Sequence, residues 1–157
     1  MEDKYLLILA LIAFVLIGIT MALSGWTPAS CKGSLAFADH LTGPEFEQWC
    51  ASLLRRLGYH DVRVLGGAGD QGGDILARKS GKRYVIQCKR YSHKLGNKPV
   101  QEVNAAVEIY HGDIAVVMTN QYFTRGGIEA ARKCDVVLWD RDQVQRMIEE
   151  AGEWRGA

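Results

Sequence analysis

The sequence predicts an α/β protein: a mixed central sheet flanked by helices in the order α-β-β-β-α-β-α-β, preceded by one N-terminal transmembrane helix. Three observations predict it. Residues 5–24 (YLLILALIAFVLIGITMALS) carry no charge, and about 20 apolar residues match the ~30 Å hydrocarbon thickness of a bilayer. Beyond them, segments with helical spacing of apolar residues alternate with short β-branched runs bounded by glycine. The length that remains, about 130 residues, suits one compact domain with its own core. A composition of 48% hydrophobic and 24% charged residues excludes collagen-like, low-complexity and broadly disordered chains. The net charge of +1 is too small to argue for nucleic acid, so that case rests on local patches.

The apolar segment reads as a retained single-pass anchor. Trp26 lies just past its end, where an interfacial aromatic is expected. A cleavable signal peptide fits poorly, because Glu2 and Asp3 outweigh Lys4 and the apolar run exceeds the usual 7–15 residues. A lipoprotein signal would use Cys31, yet Pro28-Ala29-Ser30 precedes it. A buried core helix of this length would show a polar face. Lys4 and Lys32 flank the span on opposite sides, which biases its orientation only slightly. Cys31, Cys50, Cys88 and Cys134 form neither a CxxC pair nor a zinc-ligand spacing. Three of them fall inside packed patterns, so buried reduced thiols are expected. The expected location is therefore the cell inner membrane, with the domain in the cytoplasm. The expected divisions are a tail and anchor at 1–24, a linker at 25–38, the domain at 39–152 and a tail at 153–157.

Thr42, Pro44 and Glu45 open the first helix with a cap, a first-turn proline and a capping box. Phe46, Trp49, Cys50, Leu53, Leu54 and Leu57 then mark one buried face, and Gly58 stops the helix. Strands are expected at 62–65, 74–78 and 83–89, separated by the run GGAGDQGG and by Ser80-Gly81. A basic stretch at 89–98 leads into a helix over 99–111, whose apolar side is Val100, Val103, Ala106, Val107 and Tyr110. Residues 114–119 read as a buried strand. A helix at 127–133, a strand at 136–139 and a helix at 143–151 complete the order.

Candidate chemistry lies on the second and third strands. A two-residue turn at Ser80-Gly81 sets residues summing to 161 opposite each other. Asp74 then faces Gln87, and alternation puts Lys89 on the same face. Asp74, the Gln87 side-chain oxygen and the Cys88 carbonyl are hard oxygen ligands suited to Mg²⁺. Lys89 is placed to orient a water or to neutralise charge developing on a phosphate. The plainer alternative is that Asp74 caps a glycine turn while Gln87 and Lys89 are solvated residues of an amphipathic strand. Val85, Ile86 and Cys88 argue against it, since they mark an inner strand where a lysine is costly without a task. Lys89, Arg90, Lys94 and Lys98, interleaved with Tyr91 and His93 and free of acids, form a local phosphate-binding patch. Read as a bare charge run, the same residues are a solvated loop. Thr119, Thr124 and Arg125 lie after a strand, where they either touch DNA or fill a loop. His40, His60, His93 and His111 form no ligand spacing and are expected at the surface or in turns, and Trp49, Trp139 and Trp154 are expected as packing or partly exposed aromatics, not as a base-stacking platform.

The order GPEFEQWCASLLRRLGY, GGAGDQGGDILA, YVIQCKRY and AVVMTNQYFTRGGIEAA resembles the Mrr-type restriction endonuclease catalytic domain, a branch of the PD-(D/E)xK nuclease superfamily. The resemblance spans about residues 41–149. It implies a restriction-endonuclease-like core and Mg²⁺-dependent hydrolysis of DNA phosphodiesters. It makes Asp74 and Gln87 metal ligands, Lys89 the catalytic lysine and Glu47 a supporting acid, with Asp70 shaping the GDxGxD loop. The superfamily usually has Glu where this chain has Gln87, although Mrr-like members commonly carry Gln. On a helical wheel Glu45 and Glu47 flank the apolar stripe on opposite sides. Glu45 already has a local task in the capping box, and the family's FE motif falls on Phe46-Glu47, which favours Glu47 for the site. The expected function is thus a membrane-anchored, Mg²⁺-dependent DNA endonuclease. Its expected partners are DNA and the membrane, with an oligomer left open. A membrane-anchored nucleic-acid sensor that keeps the fold without the chemistry is the alternative, and an exported domain with no DNA substrate is a third.

Overall fold

The computed structural model describes residues 33–66 and 72–152. The expected anchor at 5–24, Cys31, Asp70, Trp154 and the tail at 153–157 lie outside them. Among the described residues no helix is long and apolar enough to cross a membrane.

The chain begins with a helical turn, α1 (Leu35–Ala38), followed by α2 (Gly43–Arg56), β1 (His60–Val64), β2 (Ile75–Lys79) and β3 (Lys82–Lys89). Then come α3 (Lys98–Ile109), β4 (Ile114–Thr119), α4 (Arg125–Cys134), β5 (Val137–Trp139) and α5 (Arg141–Glu150). The five strands form one sheet in chain order. β1, β2 and β3 pair antiparallel, whereas β3, β4 and β5 pair parallel. The expected mixed sheet is therefore present, and α3 and α4 are the crossover helices that its parallel half requires.

Side-chain alternation divides the core between the two faces of the sheet. Ile75, Ala77, Ile86, Cys88, Val116 and Met118 pack under α1, α2 and α5. Val85, Ala115 and Val117 pack under α3 and α4. The hairpin register agrees with the expectation, with Ile75 opposite Ile86 and Lys79 opposite Lys82. Ser80 and Gly81 both have positive φ, 51° and 77°, the conformation that a two-residue hairpin turn demands.

The elements differ from the expectation at their ends, for physical reasons. Residues 33–38 are not linker. The Ser34 hydroxyl caps α1 by accepting from Phe37 N–H, and Leu35 and Ala38 are buried in the core. α4 starts at Arg125, so Thr124 and Arg125 are its cap and first residue, not loop. The Thr124 hydroxyl accepts from Gly127 N–H, and the weak helix formers Gly126 and Gly127 conceal that first turn in the sequence. α5 likewise starts earlier than expected, because the Asp140 carboxylate accepts from Gln143 N–H.

Candidate active site

The site is built where the hairpin and α3 meet. Gly72 has φ +85°, and a Cβ there would fall 2.5 Å from the carbonyl oxygen of Glu102. Only glycine fits so close to that backbone, so the chain entering β2 lies against α3 at Glu102. Two residues on, Asp74 N–H donates to Ile86 O at 2.9 Å, which extends the hairpin to the acid. Asp74 is 4% exposed and Gln87 3%. Gln87 Nε2 donates to Asp74 Oδ2, and Cys88 N–H donates to the same oxygen at 2.6 Å. A buried carboxylate is tolerated when charge-assisted N–H donors hold it, so Asp74 is fixed in place.

Lys89 ends β3 beside them. Its carbonyl accepts from the Thr119 hydroxyl at 2.6 Å, and its ammonium lies 3.2 Å from Glu102 Oε2. Lys98 Nζ approaches the other Glu102 oxygen at 3.9 Å. Asp74, Gln87, Cys88, Lys89, Glu102 and Glu47 line one cleft of about 500 Å³. Glu47 reaches it from α2, on the opposite face of the sheet to Gln87. Both Glu47 and Asp74 act on the Cys88 thiol, which burial above all pushes well above its ordinary pKa, with Cys50 adding to the rise. A slightly larger hollow of about 580 Å³ opens at His60, Arg63, Arg78 and Arg83, but it shares no residue with this cleft.

The expected residues Asp74, Gln87, Lys89 and Glu47 thus come together. Glu45 does not, because its carboxylate closes the first turn of α2, accepting from Thr42 N–H at 2.7 Å and from the Thr42 hydroxyl at 2.6 Å. Those two bonds hold Glu45 below the usual carboxylate pKa. Thr119 is corrected. It is fully buried, and its hydroxyl also accepts from Gln121 N–H at 3.1 Å, so it ties β4 to Lys89 and offers DNA no contact. Arg90 is exposed and lines the cleft, Lys94 and Lys98 line the adjoining hollow, and Arg125 is exposed and pairs with Glu129. All four histidines are exposed, while Trp49 and Trp139 are buried.

Glu102 was missed by sequence reasoning. It sits about 40° from Ala106, at the margin of the apolar stripe of α3, the same kind of position that singled out Glu47. Asn120 was missed too. Its side-chain oxygen accepts from Tyr91 N–H at 2.9 Å, and its amide donates to Tyr91 O and to Asp39. Arg141 grips the two Asp39 oxygens, each at 2.9 Å. Thr119 and Asn120, at the end of β4, therefore hold the backbone from Lys89 to Tyr91.

The cleft offers a candidate set of cation ligands. Its donor set is oxygen throughout: Asp74, the Gln87 amide oxygen, the Cys88 carbonyl and Glu47. Among the described residues no group of three or more histidine, cysteine or acidic side chains gathers. Such a sparse set suits Mg²⁺, which keeps several waters and takes only one or two carboxylates.

Comparison with known proteins places the fold. The family model described as restriction endonuclease, the Mrr catalytic domain, matches residues 38–148. No curated protein matches. Among solved structures, the chain is similar to AF1548, a protein of unknown function, with TM-score 0.52, 18% identity and 62% of each chain covered. It is similar to Can2 from Sulfobacillus thermosulfidooxidans, solved with cyclic tetra-adenylate, with TM-score 0.53 and 15% identity over 73% of this chain and 36% of that one. It is also similar to the DNA modification-dependent restriction endonuclease AspBHI, with TM-score 0.50 and 19% identity over 69% of this chain and 31% of that one. The chain spans less than two thirds of the length of each. At these identities the likeness is one of fold.

Proposed function

Because the chain belongs to the restriction endonuclease family of the Mrr catalytic-domain type, we propose that it is a membrane-anchored, Mg²⁺-dependent DNA endonuclease acting at the cleft around Asp74. One observation carries the reading: Asp74, Gln87 and Lys89 meet in a single cleft, with the first two buried and hydrogen-bonded to each other. A module that only bound DNA would have no use for a buried acid and amide beside a lysine. Asp74, Gln87, the Cys88 carbonyl and Glu47 would hold the cation. When bound, Mg²⁺ polarises the phosphoryl oxygens of the scissile group.

The protein's own part is electrostatic and positional. The Lys89 ammonium stabilises negative charge as it develops on the phosphate. The Thr119 hydroxyl fixes the carbonyl of Lys89, and Glu102 holds its ammonium over the cleft. Arg90, Lys94, Lys98 and Arg125 would meet flanking phosphates, positioning the strand without reading its sequence. The uncharged run at 5–24 would tether the domain to the inner membrane with its cleft in the cytoplasm, where genomic DNA lies.

The test is direct. Full chain in detergent, incubated with supercoiled plasmid, is expected to nick it with Mg²⁺ and not with EDTA. Binding without nicking at any Mg²⁺ concentration would favour the sensor alternative.

A further inference from the structure

A second hollow adjoins the cleft and shares Lys89, Tyr91 and Glu102 with it. Its volume is about 160 Å³, room for one ring system and too little for a base pair. Tyr91 is 41% exposed, and its ring meets that of His93 edge-on, with centroids 4.9 Å apart and planes 79° apart. Leu95 and Pro99 are buried and supply apolar surface, while Lys94 and Lys98 are exposed cations at the same hollow. Among the described residues Glu102 is its only acid, and that charge is paired with Lys89 and Lys98.

The hollow is held by its supports. Leu95 N–H donates to Tyr122 O at 2.9 Å, and Thr124 N–H donates to Leu95 O at 2.8 Å. A Cβ at Gly127 would lie 3.0 Å from the carbonyls of both Leu95 and Gly96, so α4 packs directly against that segment. At the other end Asn120 holds both backbone groups of Tyr91. An aromatic left partly in water on so fixed a segment, between a basic rim and an apolar floor, has the chemistry of a base-stacking seat.

We propose that this hollow seats one unstacked nucleobase from the strand that passes through the cleft, with the base against Tyr91 and its phosphates on Lys94 and Lys98. The inference rests on the nuclease reading and deepens it. The favoured substrate is DNA in which a nucleotide beside the cut is unpaired, since a paired base pays the cost of leaving the stack.

The test uses the full chain in detergent, with Ca²⁺ in place of Mg²⁺. The probe is a seven-residue oligothymidylate carrying one central 2-aminopurine. Binding is expected to quench its fluorescence with the parent and with Tyr91→Phe. Tyr91→Leu is expected to lose the quenching and about tenfold or more in affinity, the usual cost of losing one base stack. Unlabelled single strand is expected to compete better than duplex of equal length. Equal quenching by Tyr91→Leu, or equal competition by duplex, would overturn the proposal. If the parent nicks plasmid while Tyr91→Leu binds the probe like the parent, only the base seat falls. If the parent neither nicks plasmid nor binds the probe, the nuclease reading falls and takes the seat with it.

Discussion

Lys89 and Glu102 form an ion pair across the mouth of the cleft, 3.2 Å from ammonium to carboxylate, with side chains 27% and 30% exposed. Among the described residues Glu102 Oε2 receives no hydrogen bond, so the Lys89 charge is what balances it. The pair joins the end of β3 to α3, and it orients the Lys89 ammonium at the cleft.

Glu102→Gln should therefore act on catalysis more than on stability. A half-exposed ion pair is worth ~0–1 kcal/mol, so the melting temperature should move by only a few degrees. The nicking rate at saturating DNA should fall about tenfold or more, with little change in KM, because a freed lysine samples several rotamers. Equal activity in the variant would show that Lys89 is positioned by other groups.

Gly72 and Gly58 make a matched pair of tests. Both have positive φ, 85° and 79°, but a Cβ at Gly58 meets nothing within 4 Å, whereas at Gly72 it meets the Glu102 carbonyl. Gly58→Ala should cost ~1 kcal/mol from backbone conformation alone. Gly72→Ala should cost clearly more in thermal or urea unfolding and should also slow nicking, because Asp74 lies two residues away. Similar losses at the two positions would remove the argument for contact.

Thr119→Val should leave the salt dependence of DNA binding unchanged, since the residue is buried and touches no phosphate. It should lower the nicking rate, because the Lys89 carbonyl loses its 2.6 Å donor. A shallower salt slope in the variant would restore Thr119 as a DNA contact.

The Asp39–Arg141 pair predicts a pH dependence. The Arg141 hydrogen bond is the main reason that the Asp39 pKa lies below its ordinary value. A depressed folded pKa stabilises the fold above the unfolded value, about 3.9, and the gain is lost as pH falls below it. The parent should thus melt higher than Asp39→Asn at pH 6, and the gap should narrow by pH 3.5. A gap that does not change with pH would mean that the pair is held by packing alone.

Much of this was legible in the sequence, and the reasons differ by residue. The hairpin register followed from one turn, because strand alternation carries it from Ser80-Gly81 to Asp74 and Gln87 without further information. Glu45 and Glu47 were separable because a capping box is a local motif. Glu102 was not, since its role depends on α3 folding back over the end of β3, which no local motif encodes. Thr119 was misjudged for the opposite reason. Thr119 is the last residue of the run read as a strand, where a polar side chain suggests an exposed end, and only the parallel pairing of β3 with β4 places it opposite Lys89. Leu35 and Ala38 were hidden among small residues that resemble a linker.

If Asp74 is the acid on which Mg²⁺-dependent cleavage depends, Asp74→Asn should abolish that cleavage. The parent and the variant should be compared in Mg²⁺ titration calorimetry and in plasmid nicking, on protein shown by circular dichroism to be folded. The parent should bind Mg²⁺ and nick DNA, whereas the folded variant should do neither at matched concentrations. An Asp74→Asn protein that nicks plasmid like the parent would contradict that role for Asp74.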